Sequence, residues 1–481
     1  MRVVLRRILL LLWLVISAVH LHGQSLADTV KIIERIFSRY QSPSPGGQLA
    51  VSRDGKILFS QAWGMADLER QVVMSKESVI EAGSVSKQFT AAAVLLLEQQ
   101  GMLKLSDEVH RYLPELPDYG VPISLSQMLH HTSGLKDWGS LVALSDWPRG
   151  TKVYSNPDVL NIVARQPDLN HNPGEEFMYS NSNYVLLAMI VERVSGESLA
   201  AFTKKYIFSP AGMTHSSWRT DVRAIVPWRA IAYSKNEKGY FTDMPNENVY
   251  GNGGLLTTAE DLLKWNVYCF SGKPGGPSLL SRQLETVPLN SGIKNNYSAG
   301  LRILTYNGQE LFSHDGATAA YRALLEYYPL SKLSIAWLSN TSEFDEKGDG
   351  TAELRDLLVK KAPGTGKENF NPEPTPSPTP VKKDSPIIPA KELNEYTGKY
   401  YSQQVEAALE ISLSEGKLII TRYSKDKYVL VPISADEFLI ADSKVKVAFL
   451  RKKRTLIGLS FTTPRVRNVQ FNKINESQNL K

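Results

Sequence analysis

Ser84 and Lys87 stand three residues apart in Glu81-Ala82-Gly83-Ser84-Val85-Ser86-Lys87-Gln88-Phe89-Thr90. A serine hydroxyl barely ionises near neutral pH, so as a nucleophile it needs a proton acceptor beside it. A lysine serves if it can lose its proton, and burial or neighbouring cations depress its pKa enough for that. A helix beginning at Ser84 would stack both side chains on one face and offer free backbone N–H groups to a developing oxyanion. Alone, the spacing also fits a serine near a helix start followed by a solvated lysine. The residues that follow, QFTAAAVLLLEQ, are strongly apolar and good helix formers, which predicts a buried helix and a partly desolvated Lys87.

Two further sets carry chemistry. Tyr179-Ser180-Asn181 follows the loop-like NPGEEF of residues 172–177 and precedes an apolar helix predicted over 184–194. The phenol can shuttle a proton and the amide can donate to a substrate carbonyl. The plainer reading is a helix start capped by Ser180 or Asn181, with Tyr179 packed. His314-Asp315-Gly316-Ala317 precedes a strand-like run, residues 321–328. Gly316 lets a substrate approach the backbone, and an edge-strand N–H there can complete an oxyanion hole with the N–H of Ser84. Taken alone, His-Asp-Gly is also an ordinary turn.

The scaffold that must position these residues is readable in outline. At 481 residues the chain exceeds one ordinary core. A composition break rich in Pro, Thr and Ser, residues 361–389, reads as a linker between a large unit over 24–360 and a small one over 390–475. Strand-like runs at both ends of the large unit, the first pair joined by Asp54-Gly55, bracket a helical stretch from Ser84 to about Phe208. They predict an α/β fold, an antiparallel sheet flanked by helices with a helical subdomain above it and a cleft between them. Alternating runs such as LEISL and KLIIT predict a small antiparallel β domain at the C-terminus.

Residues 1–23 carry three arginines and then an apolar run, the layout of a signal peptide, which predicts export to the periplasm or medium and no stable membrane insertion after cleavage. Removing them takes the formal charge from +6 to +3, a balance that implies no nucleic-acid partner. Cys269, the single cysteine, lies in an apolar helical stretch and reads as a buried hydrophobe. Eight histidines without paired ligand spacing give no metal site and no cofactor is expected. The run Arg451-Lys452-Lys453-Arg454 reads as a solvated turn, with a polyanionic cell-wall contact of the C-terminal domain as its alternative.

Ser-x-x-Lys, Tyr-x-Asn and His-x-Gly, in that order and joined by His131-Thr132-Ser133-Gly134, Pro173-Gly174-Glu175 and Gly251-Asn252-Gly253-Gly254, resemble the serine β-lactamase and penicillin-recognising superfamily. The likeness is to its class C-like branch, the peptidase S12 group, over about residues 30–340. The C-terminal LNEYTGKY resembles the opening of the lipocalin-like domain often appended to such hydrolases. The resemblance implies Ser84 as acylated nucleophile, Lys87 as its proton partner and Tyr179 as base or relay for the leaving group. It implies that Asn181 positions the substrate amide and that the N–H groups of Ser84 and Ala317, beside Gly316, hold the oxyanion. Many relatives carry lysine at the place of His314, so the cleft would exchange a fixed charge for one titrating near neutrality. An ionised Asp315 would repel a substrate carboxylate unless His314 neutralises it. His130 and His131 resemble a structural turn. The expected activity is hydrolysis of a small-molecule or peptide amide or ester, by a D-amino-acid peptidase or amidase or a carboxylesterase. A β-lactamase and a penicillin-binding sensor with little turnover are the alternatives.

Overall fold

The computed structural model describes residues 26–270, 276–362, 390–422 and 426–474. The expected signal peptide, and all but the first two residues of the expected linker, lie outside them.

The chain enters through helix α1 (Leu26–Ile36) and a hairpin, β1 (Gly47–Arg53) and β2 (Lys56–Trp63). Asp54 and Gly55 both take positive φ, 50° and 75°, as a two-residue turn of this kind requires. A helical region follows. It includes α2 (Lys87–Gln99), α3 (Trp138–Leu144), α4 (Asn181–Ser195) and α5 (Ala259–Phe270). Strands return as β3 (Arg302–Tyr306), β4 (Gln309–Thr318), β5 (Tyr321–Tyr328) and β6 (Leu333–Ser339). The six strands form one antiparallel sheet in the order β3-β4-β5-β6-β1-β2. β1 lies against β6 with Gly47 opposite Ser339 and Arg53 opposite Leu333, so the two ends of this unit meet in its centre. The bracketed arrangement expected from sequence is the one observed.

One face of the sheet is covered by α1 and the turn after it, where the Phe37 and Tyr40 rings pack 4.7 and 4.9 Å from Trp337. α5 covers the other face, and Cys269 on it is buried. α2 is apolar because it runs through the core: Ala91, Ala92 and Ala93 have no exposed surface. Two of its few polar residues are tied to neighbouring elements, while the buried Gln88 Nε2 has no partner among the described residues. Gln88 Oε1 accepts from Trp265 Nε1 at 3.0 Å, and the Thr90 hydroxyl donates to Gly251 O at 2.8 Å. α4 packs across α2 and ends at Gly196, whose φ of 72° is the left-handed cap that favours glycine.

Eight strands between Gly398 and Lys473 form a closed antiparallel barrel. Each strand pairs with the next, and the first closes on the last through Tyr400 opposite Lys473 and Tyr401 opposite Asn472. Alternate residues point inward: Ala407, Leu409 and Ile411 of one strand are buried, and Phe449, Phe461 and Phe471 help fill the interior. In the basic run, Arg451 is held by Asp436 and Glu395, while Lys452, Lys453 and Arg454 are exposed at a turn. The barrel seats on the helical side of the larger unit. Arg422 donates to Ala143 O at 2.6 Å and Gln166 to Gln404 O at 3.0 Å. Among the described residues no helix is long and apolar enough to cross a membrane.

Candidate active site

Ser84 sits in a 3₁₀ turn, Gly83–Ser86, and α2 starts at Lys87 rather than at Ser84. The consequence for the pair is the same, because residues three apart share a face in either winding. Ser86 fastens the turn, its hydroxyl donating to Gly83 O and accepting from Leu255 N. Of residues 81–95, Ser84 alone is not buried.

Lys87 is fully buried. Its Nζ lies 3.0 Å from Ser84 Oγ, 2.9 Å from Asn181 Oδ1 and 2.6 Å from Asn252 O. Burial pushes its pKa well below the usual lysine range, and the Arg465 guanidinium pushes in the same direction. A neutral amine has two hydrogens and one lone pair. The two carbonyl oxygens can only accept, so they take the hydrogens and the lone pair faces Ser84 Oγ. That is the arrangement a general base needs.

Asn181, the first residue of α4, is held in turn. Asp137 Oδ2 accepts from its backbone N–H at 2.8 Å and from Nδ2 at 3.1 Å, which fixes Oδ1 toward Lys87. The other Asp137 oxygen caps α3 by accepting from Ser140 N at 2.9 Å. One hydrogen of the Asn181 amide remains for a substrate carbonyl.

Tyr179 is buried with its ring 4.2 Å from that of His131, and Lys87 Nζ lies 4.9 Å from its centroid. Burial raises the phenol pKa, so the group is a neutral O–H. That hydroxyl lies beside Ser84 without closing a full hydrogen bond. His131, with φ 56°, packs under this ring and accepts from Ser180 N through Nδ1, the structural part expected of it. His130 joins Ser126 O to Glu285 O.

Two glycines bring β4 against the serine turn. A Cβ on Gly316 would lie 2.1 Å from Ala82 O and 3.1 Å from Ser84 N. One on Gly83, whose φ is 48°, would lie 2.6 Å from Ala317 N. Only bare backbone fits there, and it gathers the amides of Ser84 and Ala317 at one place.

His314 corrects the sequence expectation. It does not bring a charge that titrates near neutrality, because burial drives its pKa down to about 4. Its Nδ1 lies 2.6 Å from Asp315 O, which can only accept, so Nδ1 carries the hydrogen and Nε2 accepts from the Tyr297 hydroxyl at 2.9 Å. Nor does His314 neutralise Asp315. The Asp315 side chain is 73% exposed, and its charged neighbour is Arg302 of β3, with Nε 3.8 Å away.

The structure thus brings Ser84, Lys87, Tyr179, Asn181, Gly316 and Ala317 together and sets His314 behind them. Sequence reasoning missed Asp137, Tyr297, Arg302 and Arg465. Asp137 left a trace as a helix-capping residue type before Trp138; the other three have no local signature. Among the described residues no group of three or more His, Cys, Asp or Glu side chains is placed to hold a metal.

The chain is similar to Penicillin-binding protein 4* of Bacillus subtilis, 27% identical over 425 residues that span 84% of this chain and 89% of that protein. It is 26% identical to D-aminopeptidase of Gluconobacter oxydans over 62% of this chain and 56% of that one, so here the match spans little more than half of the relative. In fold it resembles the octameric penicillin-binding protein homologue from Pyrococcus abyssi, with a TM-score of 0.60 and 20% identity across 94% of this chain and 100% of that one. The family model described as Beta-lactamase matches residues 33–360, and the chain belongs to that family of serine hydrolases.

Proposed function

We propose that this protein is an exported acyl-transfer hydrolase that cleaves an amide following a D-amino-acid residue and forms its acyl-enzyme on Ser84. The observation that carries the reading is Lys87, neutral and buried, with its lone pair turned to Ser84 Oγ. Lys87 takes the hydroxyl proton as Oγ attacks the carbonyl carbon, and the N–H groups of Ser84 and Ala317 stabilise the charge that develops on oxygen. Tyr179 gives its proton to the departing nitrogen and recovers one from Lys87, so the protons balance. Water then repeats the sequence in reverse and frees Ser84. The likeness to a D-aminopeptidase supports the D-residue, and the leader-like residues 1–23 support export.

The test is a fluorophosphonate probe with peptide mapping, followed by turnover of a D-aminoacyl amide, a short D-peptide, a simple ester and a β-lactam. An adduct on Ser84 and preference for the D-aminoacyl compounds is the expected result. No adduct on Ser84 in folded protein overturns the mechanism. Preference for the ester or the β-lactam overturns the substrate class, and a lasting adduct without turnover identifies a sensor.

A further inference from the structure

Barrel strands Thr455–Thr463 and Val466–Lys473 are joined by Pro464 and Arg465. This turn is pinned to the hydrolase unit by its main chain. Arg465 O accepts from Asn170 Nδ2 at 3.0 Å, and Asn170 Oδ1 accepts from Arg467 N at 2.8 Å. The Arg467 guanidinium completes the clamp with two 2.8 Å bonds to the Glu176 carboxylate. With the backbone held, the Arg465 side chain extends over Tyr179, its guanidinium carbon 4.8 Å from the ring centroid. Arg465 is exposed, and among the described residues no carboxylate forms an ion pair with it. Arg302 approaches the same ring, 6.0 Å away. At the rim the two guanidinium groups outnumber the exposed Asp315 carboxylate, while the Asp137 carboxylate lies buried below, bonded to Asn181 and the start of α3, and Lys87 and His314 are neutral.

We propose that Arg465, carried by the barrel, is the specificity-determining cation of the hydrolase cleft and binds a free carboxylate on the leaving group of the substrate. This rests on the acyl-enzyme reading above and adds the substrate feature it leaves open. Tyr179 protonates the departing nitrogen, so a cation stacked on its ring stands on the leaving side of the scissile bond. The carboxyl carbon of a C-terminal residue is two bonds from that nitrogen, within reach of the same guanidinium. A guanidinium fork matches a carboxylate with two parallel N–H bonds. Arg302 beside Asp315 offsets the charge that would otherwise repel such a carboxylate.

The experiment compares N-acetyl-D-alanyl-D-alanine with its C-terminal amide, on the full chain and on Arg465→Ala and Arg465→Lys. The readout is the acid-to-amide ratio of kcat/KM, or, where turnover is slow, the ratio of their protection of Ser84 against a fluorophosphonate probe. Each ratio is taken within one sample, so partial misfolding of a variant does not move it. We expect wild type to favour the acid by about tenfold or more. Arg465→Ala should collapse that ratio, mainly through KM, and Arg465→Lys should restore part of it. About 0.5 M salt should shrink the wild-type preference, because the rim is open to solvent. A wild type that does not favour the acid, or a ratio unmoved in Arg465→Ala, overturns the proposal. So does an equal loss on both compounds with a shifted acidic limb, which would assign Arg465 to tuning Lys87. Absence of any probe adduct on Ser84 is a different failure, that of the acyl-enzyme reading.

Discussion

The floor and the rim of the cleft are built on opposite plans. On the floor Lys87, His131, Tyr179 and His314 are ionisable groups held neutral by burial, each pinned by carbonyls, amides or ring contacts from its own unit. At the rim Arg302, Asp315 and Arg465 are charged and partly or largely exposed, and one of them belongs to a different domain. Holding Lys87 and Tyr179 neutral keeps a base and an acid beside the nucleophile, ready to exchange protons without first shedding water. A charged rim acts on whatever portion of the substrate lies outside the reacting bond. The chemistry is therefore internal to one fold, and selectivity is assembled where two folds meet.

That contrast breaks most clearly at Lys87. Lys87→Met should lower kcat/KM by about a thousandfold or more and suppress probe labelling, the loss expected when a nucleophile is left without its base. It should also show what neutrality costs the fold. The native pKa of Lys87 lies below the ordinary 10.5, so between the two the unfolded chain binds more protons than the folded one. Wild-type stability relative to Lys87→Met should then rise as pH climbs from 7 toward 10, measured by urea unfolding. A flat difference would mean that Lys87 is charged in the native state, and the floor would not be neutral.

A smaller effect is expected at Asp137, which touches no reacting group. Asp137→Ala should lower kcat about tenfold with KM changed less, by freeing the Asn181 amide, and cost about 1 kcal/mol through the lost cap on α3. Asp137→Asn keeps a cap, so it should recover stability more fully than rate. If both variants lose rate and stability in proportion, Asp137 is a structural residue and the floor is not positioned through it.

His314 should matter least to turnover at neutral pH and most to acid tolerance. Its native pKa of about 4 lies below the ordinary 6.5, so stability is lost as pH falls through that window. Wild type should weaken relative to His314→Gln by roughly 1 kcal/mol per pH unit there, followed by thermal unfolding at pH 6.5, 5.5 and 4.5. No relative change would place a charged imidazole on the floor.

The same division governs what can be read from sequence. Ser84 and Lys87 are legible because one turn of chain fixes their spacing, whereas Tyr179 and Asn181, which locally read as a plain helix start, are legible through their place in the ordered motifs. The sheet could be foreseen from strand-like runs at both ends of the unit, and an antiparallel β domain from alternating runs after the proline-rich break, its lipocalin-like form only through the resemblance of LNEYTGKY. The state of His314 could not, because it depends on burial against Tyr297, which approaches from a separate loop. Arg465 was beyond reach for a related reason. Its role depends on how a barrel turn docks, a contact made through Asn170 and Glu176, and nothing near Arg465 in the chain announces it.

The glycines at 83 and 316 carry a practical consequence for anyone building variant libraries of this enzyme. Where a missing Cβ lets two main chains touch, substitution offers no graded adjustment, since even alanine at 316 would drive a methyl group onto a carbonyl oxygen. Random diversity spent there returns dead clones. Positions 315 and 465 carry exposed side chains, so saturation mutagenesis aimed at new substrates belongs at those two codons.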